Sequence, residues 1–406
     1  MRTFAILFCL LLALIINQVS AQHSFTSLNV AYQYDINGKI LLHHQLFHKE
    51  DSAQVLLAVT STDSSFLSNY DVLVEIRDGF KDAEIHTDDT LNERYLIGKK
   101  GLTSYYSYQF EYKSKYTLMV IDFFNKGTGA NYTYHISIGE KANYSDDGLY
   151  VIDAETGLPE LSGHLVSGKP YVIKCIKKDA DKVFSYSYKN NFEIALPPMV
   201  IEDRNVNKSL EVREIQQIRI DDTLAFDQKG LYLVQIDTNG VLGLPFRVVE
   251  KGFPKYYYLD DLLDPLTYIV SREEREEIQG SEDPRLAFER FWIENCRSKS
   301  VARRAIKAYY DRIAAANLYF TNYKSGWKTD MGMIYTIYGP PDEVYVEEEY
   351  ETWQYTANRS LPSIRFTFVK VKNIFADRYY VLVRDRKFDR HWFRTVELWR
   401  EGKQAE

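Results

Sequence analysis

Between residues 23 and about 140 the chain alternates apolar and polar positions with a period of two. Residues 55–59 and 70–76 show the runs and alternation of sheet, and 116–121 follows. A glycine-rich turn, Lys126-Gly127-Thr128-Gly129, then leads into 132–138. Strand side chains point alternately to opposite faces, so this pattern marks sheets with one buried face. No helical periodicity of useful length intervenes, and the segment is expected to form one antiparallel β-sandwich.

Residues 148 to about 250 repeat the style. In Asp227-Gln228-Lys229-Gly230-Leu231-Tyr232, an Asp and a Gly precede a Tyr that opens a strand. This resembles the tyrosine corner of immunoglobulin-like sandwiches, in which the Tyr hydroxyl bonds back to nearby backbone. Asp237-Thr238-Asn239-Gly240 reads as a turn, with a closing strand over 244–249.

At Gly252-Phe253-Pro254 the period changes. Ser271 and Glu274 have the spacing of a capping box, and Gly280 ends the short helix they start. Asp283 before Pro284 starts a second helix, with Ala287, Phe288, Phe291 and Trp292 along one face. A third is expected over 301–320, and these helices are expected to pack on the module that follows. The pattern then reads as strands over 333–338, 351–355, 364–371 and 379–383, and 384–400 as a last strand or a loose end. The expected fold is thus mainly β and multidomain. Two tandem immunoglobulin-like sandwiches (22–145 and 146–252) precede a helical segment (253–322) and a small α+β domain (323–406).

Residues 1–21 have a positive start at Arg2, an apolar run over 4–16 and a small-residue exit, Val19-Ser20-Ala21. That is the layout of a cleavable secretory signal, and the run falls short of the ~20 residues that span a bilayer. No later segment reaches that length, so no transmembrane segment is expected after cleavage. The remainder is too long for one ordinary core and suits roughly two to four domains. A formal charge of −7 without clustered basic surface argues against nucleic acid as a partner. After cleavage Cys175 and Cys296 remain, far apart, which reads as two buried thiols and no disulfide framework. Tyrosine is abundant, 32 against 22 phenylalanines. It suits both half-wet strands and binding surfaces, and composition does not separate the two uses.

Gly326-Trp327-Lys328-Thr329-Asp330 is followed by Ile334-Tyr335-Thr336-Ile337-Tyr338-Gly339-Pro340-Pro341-Asp342. The pair resembles the GWxTD-domain family, exported bacterial proteins named for that motif and common in the Bacteroidota. The likeness takes in Phe291-Trp292, Tyr310 and Ala316-Asn317 upstream, and Tyr350-Glu351-Thr352-Trp353 and Phe366-Thr367-Phe368 downstream, roughly residues 255–385. It implies an export compartment and a domain type but brings no activity. Two readings of Gly326, Trp327, Thr329, Asp330, Gly339, Pro340, Pro341 and Asp342 stand side by side. One is a helix-to-strand joint with a buried Trp and a rigid turn. The other is a recognition surface with Trp327 as aromatic anchor and Asp330 as polar contact.

No catalytic residue, metal ligand or cofactor site emerges. His43, His44 and His48 fall on a strand without a ligand cluster. Asp146, Asp147 and Asp153 lack the spaced oxygens of a calcium loop. No Gly-x-Ser-x-Gly elbow occurs, and neither cysteine sits in a nucleophile motif. Asp51-Ser52-Ala53, Asp89-Thr90-Leu91 and Asp222-Thr223-Leu224 resemble the O-glycosylation tripeptides of exported Bacteroidota proteins. The expectation is a non-catalytic exported protein, periplasmic or associated with the outer membrane, that binds or assembles envelope proteins. A carbohydrate-binding protein, suggested by the aromatic load, is the alternative, and a hydrolase of unknown type the second.

Overall fold

The computed structural model describes residues 24–63, 66–81, 84–139, 148–176, 180–189, 192–201, 210–376 and 378–405. The expected leader, Asp146 and Asp147 lie outside these residues.

The first β unit has two four-stranded sheets. One holds β1 (Ile40–His48), β2 (Ser52–Ser61), β5 (Leu96–Lys100) and β6 (Thr103–Glu111) in the order β1-β2-β6-β5. After a single helical turn, α1 (Phe66–Asn69), the other holds β3 (Tyr70–Arg77), β4 (Ile85–Thr90), β7 (Leu118–Asn125) and β8 (Asn131–Ser137) in the order β4-β3-β7-β8. Every pairing is antiparallel. Val72, Val74 and Ile76 turn inward from β3 to meet Val55, Leu57, Tyr106, Met119 and Ile121 in one core, as the alternation requires.

The second unit pairs a three-stranded sheet, β14-β11-β9, with a five-stranded one, β10-β16-β15-β12-β13. Its strands are β9 (Leu149–Asp153), β10 (His164–Val166), β11 (Pro170–Cys175), β12 (Lys182–Tyr188), β13 (Val212–Arg219), β14 (Thr223–Ala225), β15 (Gly230–Gln235) and β16 (Leu244–Val249). Among the described residues only β10 and β16 pair in parallel. Tyr232 donates its hydroxyl hydrogen to the Gln228 carbonyl at 2.9 Å. Cys296 is buried, while Cys175, also expected to be buried, is only half-buried.

The last third is one body. Helices α2 (Leu259–Leu263), α3 (Arg272–Gly280), α4 (Pro284–Cys296) and α5 (Lys299–Phe320) share a core with the sheet β17-β18-β19-β20. That sheet comprises β17 (Glu343–Val346), β18 (Tyr350–Tyr355), β19 (Ile364–Lys370) and β20 (Tyr380–Leu382). Trp292, Tyr309 and Ile313 from the helices meet Trp353, Phe366 and Phe368 from the strands. Ser271 and Glu274 form the capping box, and Asp283 caps α4.

Two elements correct the reading of the sequence. Residues 333–338, expected as strand, belong to helix α6 (Asp330–Tyr338). Met331, Met333, Ile334, Tyr335 and Ile337 are all buried, so this helix has no polar face to reveal a 3.6-residue period. Residues 384–400 are neither strand nor loose end. A 3₁₀ turn leads into helix α7 (Asp389–Arg400), which buries Trp392, Leu398 and Trp399 while its basic residues cover the outer face.

The segment 24–38 crosses between bodies. Tyr32 and Gln33 both donate to the Thr133 carbonyl of β8, at 2.7 and 2.8 Å. Val30 donates its amide to the Val344 carbonyl at 2.9 Å, and Asn29 Oδ1 accepts the Val344 amide at 2.9 Å. The segment therefore covers the open edge of β17, which would otherwise present unpaired backbone groups.

Candidate functional site

The signature sits where α5 turns back into α6. Gly326 packs against the backbone of α5 so closely that a Cβ there would fall 2.0 Å from the Ala316 carbonyl oxygen. Gly332, inside α6, is as tight: a Cβ would meet the Gly326 oxygen at 1.9 Å. Two backbones thus touch where only glycine fits. Trp327 is 2 % exposed. Its indole donates to the Tyr256 hydroxyl at 3.1 Å, and its carbonyl accepts from the Tyr268 hydroxyl at 2.9 Å. Thr329 caps α6: its hydroxyl accepts the Gly332 amide at 3.0 Å and donates to the Gly326 carbonyl at 2.7 Å.

Asp330 is buried and fully engaged. Arg384 donates to both of its oxygens, at 2.6 and 3.0 Å, and the Leu382 amide adds a third bond at 2.8 Å. The same guanidinium reaches the Leu196 carbonyl at 3.0 Å, tying the irregular stretch after β20 to the connection between β12 and β13 of the second β unit. Lys324 donates to the Glu193 carbonyl at 3.2 Å beside it, and burial pulls its ammonium down to about 8.

The second half of the motif is a stop and a turn. Gly339 ends α6 at φ 88°, with the Arg312 guanidinium 3.1 Å from where a Cβ would stand. Tyr355 donates to the Gly339 carbonyl at 2.9 Å. Pro341 is buried and Pro340 exposed, and the Asp342 carboxylate accepts the Thr356 amide and hydroxyl at 2.6 and 2.8 Å. All eight motif residues thus lie in one continuous joint. Trp327 and Asp330 both face inward onto partners of this chain.

A second cluster joins residues 317 positions apart in sequence, Tyr34 and Glu351. Tyr34 donates to the wholly buried Glu351 at 2.5 Å, and Trp353 donates to the same oxygen at 2.8 Å. Arg378 approaches the other Glu351 oxygen at 3.5 Å and donates to the Tyr34 hydroxyl at 3.1 Å. Burial, then the Glu351 charge, pushes the Tyr34 hydroxyl well above its ordinary value, so it stays a donor. Beside this cluster is a cavity of about 280 Å³ where the segment 24–38, both β units and the C-terminal body meet. Tyr34, His43, His44, Ser162, Tyr319 and Arg378 are among its walls. Burial, aided by the charge of His164, lowers His43 to about 4. Burial and the charge of Arg378 lower His44 to about 3. Both imidazoles are neutral at physiological pH and offer one donor and one acceptor each. Sequence reading missed this site because its walls come from segments with no shared motif.

The most open element is β13. It is the edge of its sheet among the described residues, and seven of its eight positions are exposed. Ile215 is 57 % exposed and Val212 also faces solvent. Beside it a polar cavity of about 260 Å³ is lined by Ser185, Ser187, Glu214, Gln216, Asp227 and Tyr232, among others. The Ser187 hydroxyl is buried there with no hydrogen-bond partner.

These features define a β-rich chain of three bodies, closed by an α+β domain whose signature is built into a helix–helix joint. Residues 230–401 match the model of the GWxTD domain, so the chain carries a GWxTD domain. The match runs beyond the sequence resemblance at both ends, taking in β15, β16 and α7. Since Trp392 and Trp399 of α7 belong to the same core as Trp353, that helix is an integral part of the domain. No curated protein matches the chain.

Proposed function

We propose that this is an exported, non-catalytic protein of the cell envelope, in the periplasm or at the outer membrane, that holds an envelope protein by strand addition. The observation that carries the reading is β13. A strand bonded to one neighbour, with nearly every residue exposed and apolar side chains outward, leaves a row of backbone donors and acceptors for an extended segment of a partner. In this reading both β units are immunoglobulin-like sandwiches that act as a rigid spacer. For the second, the bond from Tyr232 to Gln228 supports it. The segment 24–38 and the signature joint hold the spacer to the C-terminal domain. The test is affinity capture of the tagged chain from its own cells with quantitative mass spectrometry. Wild type is expected to recover an envelope protein in stoichiometric amount, and Val212→Lys/Ile215→Lys to lose it. Equal recovery by both would end the proposal.

A glycan ligand is the second reading, and the polar cavity beside β13 favours it. Hydroxyls of Ser185 and Ser187, the Gln216 amide and the aromatic rings of Phe226 and Tyr232 suit a sugar's alternating hydroxyls and apolar face. Calorimetric binding of an oligosaccharide that Ser187→Ala weakens would support it, and a silent glycan array would remove it.

A further inference from the structure

Where β3 turns into β4, the chain brings together Asp78, Glu84 and His86, one donor atom from each lying within 4.8 Å of the others. Acidic turns are common, so carboxylates alone carry little. The histidine changes the chemistry. Its side chain is 8 % exposed, and its Nε2 is buried without a hydrogen-bond partner. That nitrogen faces Asp78 Oδ2 at 3.6 Å. The distance is too long for a hydrogen bond. It is close to the edge of about 3.4 Å expected between two ligands that each stand about 2.1 Å from a tetrahedral zinc.

The supporting contacts hold this arrangement in place. Asp78 Oδ1 accepts the Glu84 amide at 3.1 Å, which leaves Oδ2 turned toward the imidazole. The Tyr116 ring lies against His86, centroids 4.6 Å apart at 30°, and fixes the plane of the imidazole. A buried imidazole nitrogen without a partner costs free energy that a bound cation would recover.

We propose that Asp78, Glu84 and His86 bind a divalent transition-metal ion. A donor set of one imidazole and two carboxylates, with no thiolate, fits Zn²⁺, and three protein ligands leave a fourth position for water. The site also has something to fasten. Phe80, on the same turn, is buried against Phe25 and His135, with ring centroids 5.8 and 5.9 Å apart. Lys81 pairs with Glu347 of the C-terminal domain at 3.1 Å. A bound ion pins the turn that joins the first β unit to both the segment 24–38 and the C-terminal domain.

The full-length chain, stripped with chelator, is titrated with Zn²⁺ by calorimetry and with Co²⁺ by visible absorption. One ion per chain is expected, with affinity reduced about tenfold or more in His86→Gln and in Asp78→Asn. Zn²⁺ is expected to raise the melting temperature of wild type and not of His86→Gln. If circular dichroism shows that His86→Gln does not fold, Glu84→Gln replaces it, since that side chain is exposed. No binding by wild type at millimolar Zn²⁺, or equal binding by wild type and the folded variants, overturns the proposal.

Discussion

Arg384 grips both oxygens of Asp330, at 2.6 and 3.0 Å, and with its remaining reach holds the Leu196 carbonyl. One buried ion pair therefore joins the last residue of the signature to the stretch just after β20 and to the connection between β12 and β13 of the second β unit. Removing one partner leaves the other charge buried and alone. Asp330→Ala is expected to lower stability by about 3 kcal/mol. Replacing both residues with apolar ones of similar volume should recover much of that loss. Chemical denaturation followed by near-UV circular dichroism checks both, and an unchanged midpoint for Asp330→Ala would refute the account of the joint.

The glycines of the joint make a steric prediction. Gly326→Ala places a methyl 2.0 Å from the Ala316 oxygen, where neither backbone has room to retreat. Such overpacking is expected to cost about 3 kcal/mol or more, or to prevent soluble expression. Gly280→Ala is the control, since nothing lies within 4 Å of its Cβ. There the change should be neutral or stabilise by about 0.5 kcal/mol. Similar melting temperatures for the two variants would contradict the packing described.

Tyr34 and Glu351 predict how the segment 24–38 is held. Tyr34→Phe removes a donor from a carboxylate with no access to water, a loss of about 1–3 kcal/mol. The effect should be local. Hydrogen exchange is expected to rise in residues 24–38 and at the edge strand β17, with β2 and β3 unchanged. A uniform rise through the chain would show that the segment is not a separate fastening.

The cavity histidines predict a dependence on pH. Their native values, about 4 for His43 and about 3 for His44, lie below the unfolded value near 6.5. The unfolded chain therefore binds protons first as pH falls. Stability is complete above about pH 6.5 and declines down to about pH 4, by up to about 1.4 kcal/mol per pH unit for each histidine. Urea midpoints measured from pH 7.5 to 4.5 should show this slope, reduced in His43→Asn/His44→Asn. Parallel profiles for wild type and the double variant would disprove the assignment.

What could be read in the sequence was whatever has a local cause. Val72, Val74 and Ile76 alternate with Asp71, Leu73 and Glu75, so β3 and its neighbours were legible. Ser271 with Glu274 and Asp283 before Pro284 mark helix starts through bonds made within one turn. Helix α6 was illegible because it is buried on every side, which erases its period. In α7, Arg394, Thr395 and Glu397 separate Trp392 from Leu398 and Trp399, though the hydrophobic spacing is helical. The docking of Tyr34 on Glu351 and the walls of the cavity arise from contacts across 300 residues, and no local pattern records those. The metal-binding turn has the same character: His86 follows Asp78 at a spacing that acquires meaning only when β3 and β4 pair.

The central claim is that a partner is held at β13 while the signature holds the chain itself together. Affinity capture with Val212→Lys/Ile215→Lys and with Trp327→Phe, each beside its melting temperature, tests this most directly. The account predicts that the β13 variant melts like wild type and loses the partner, while Trp327→Phe melts lower yet retains the partner below its melting point. Full capture by the β13 variant, together with loss of capture by a Trp327→Phe chain of undiminished stability, would contradict it and return the signature to the surface of recognition.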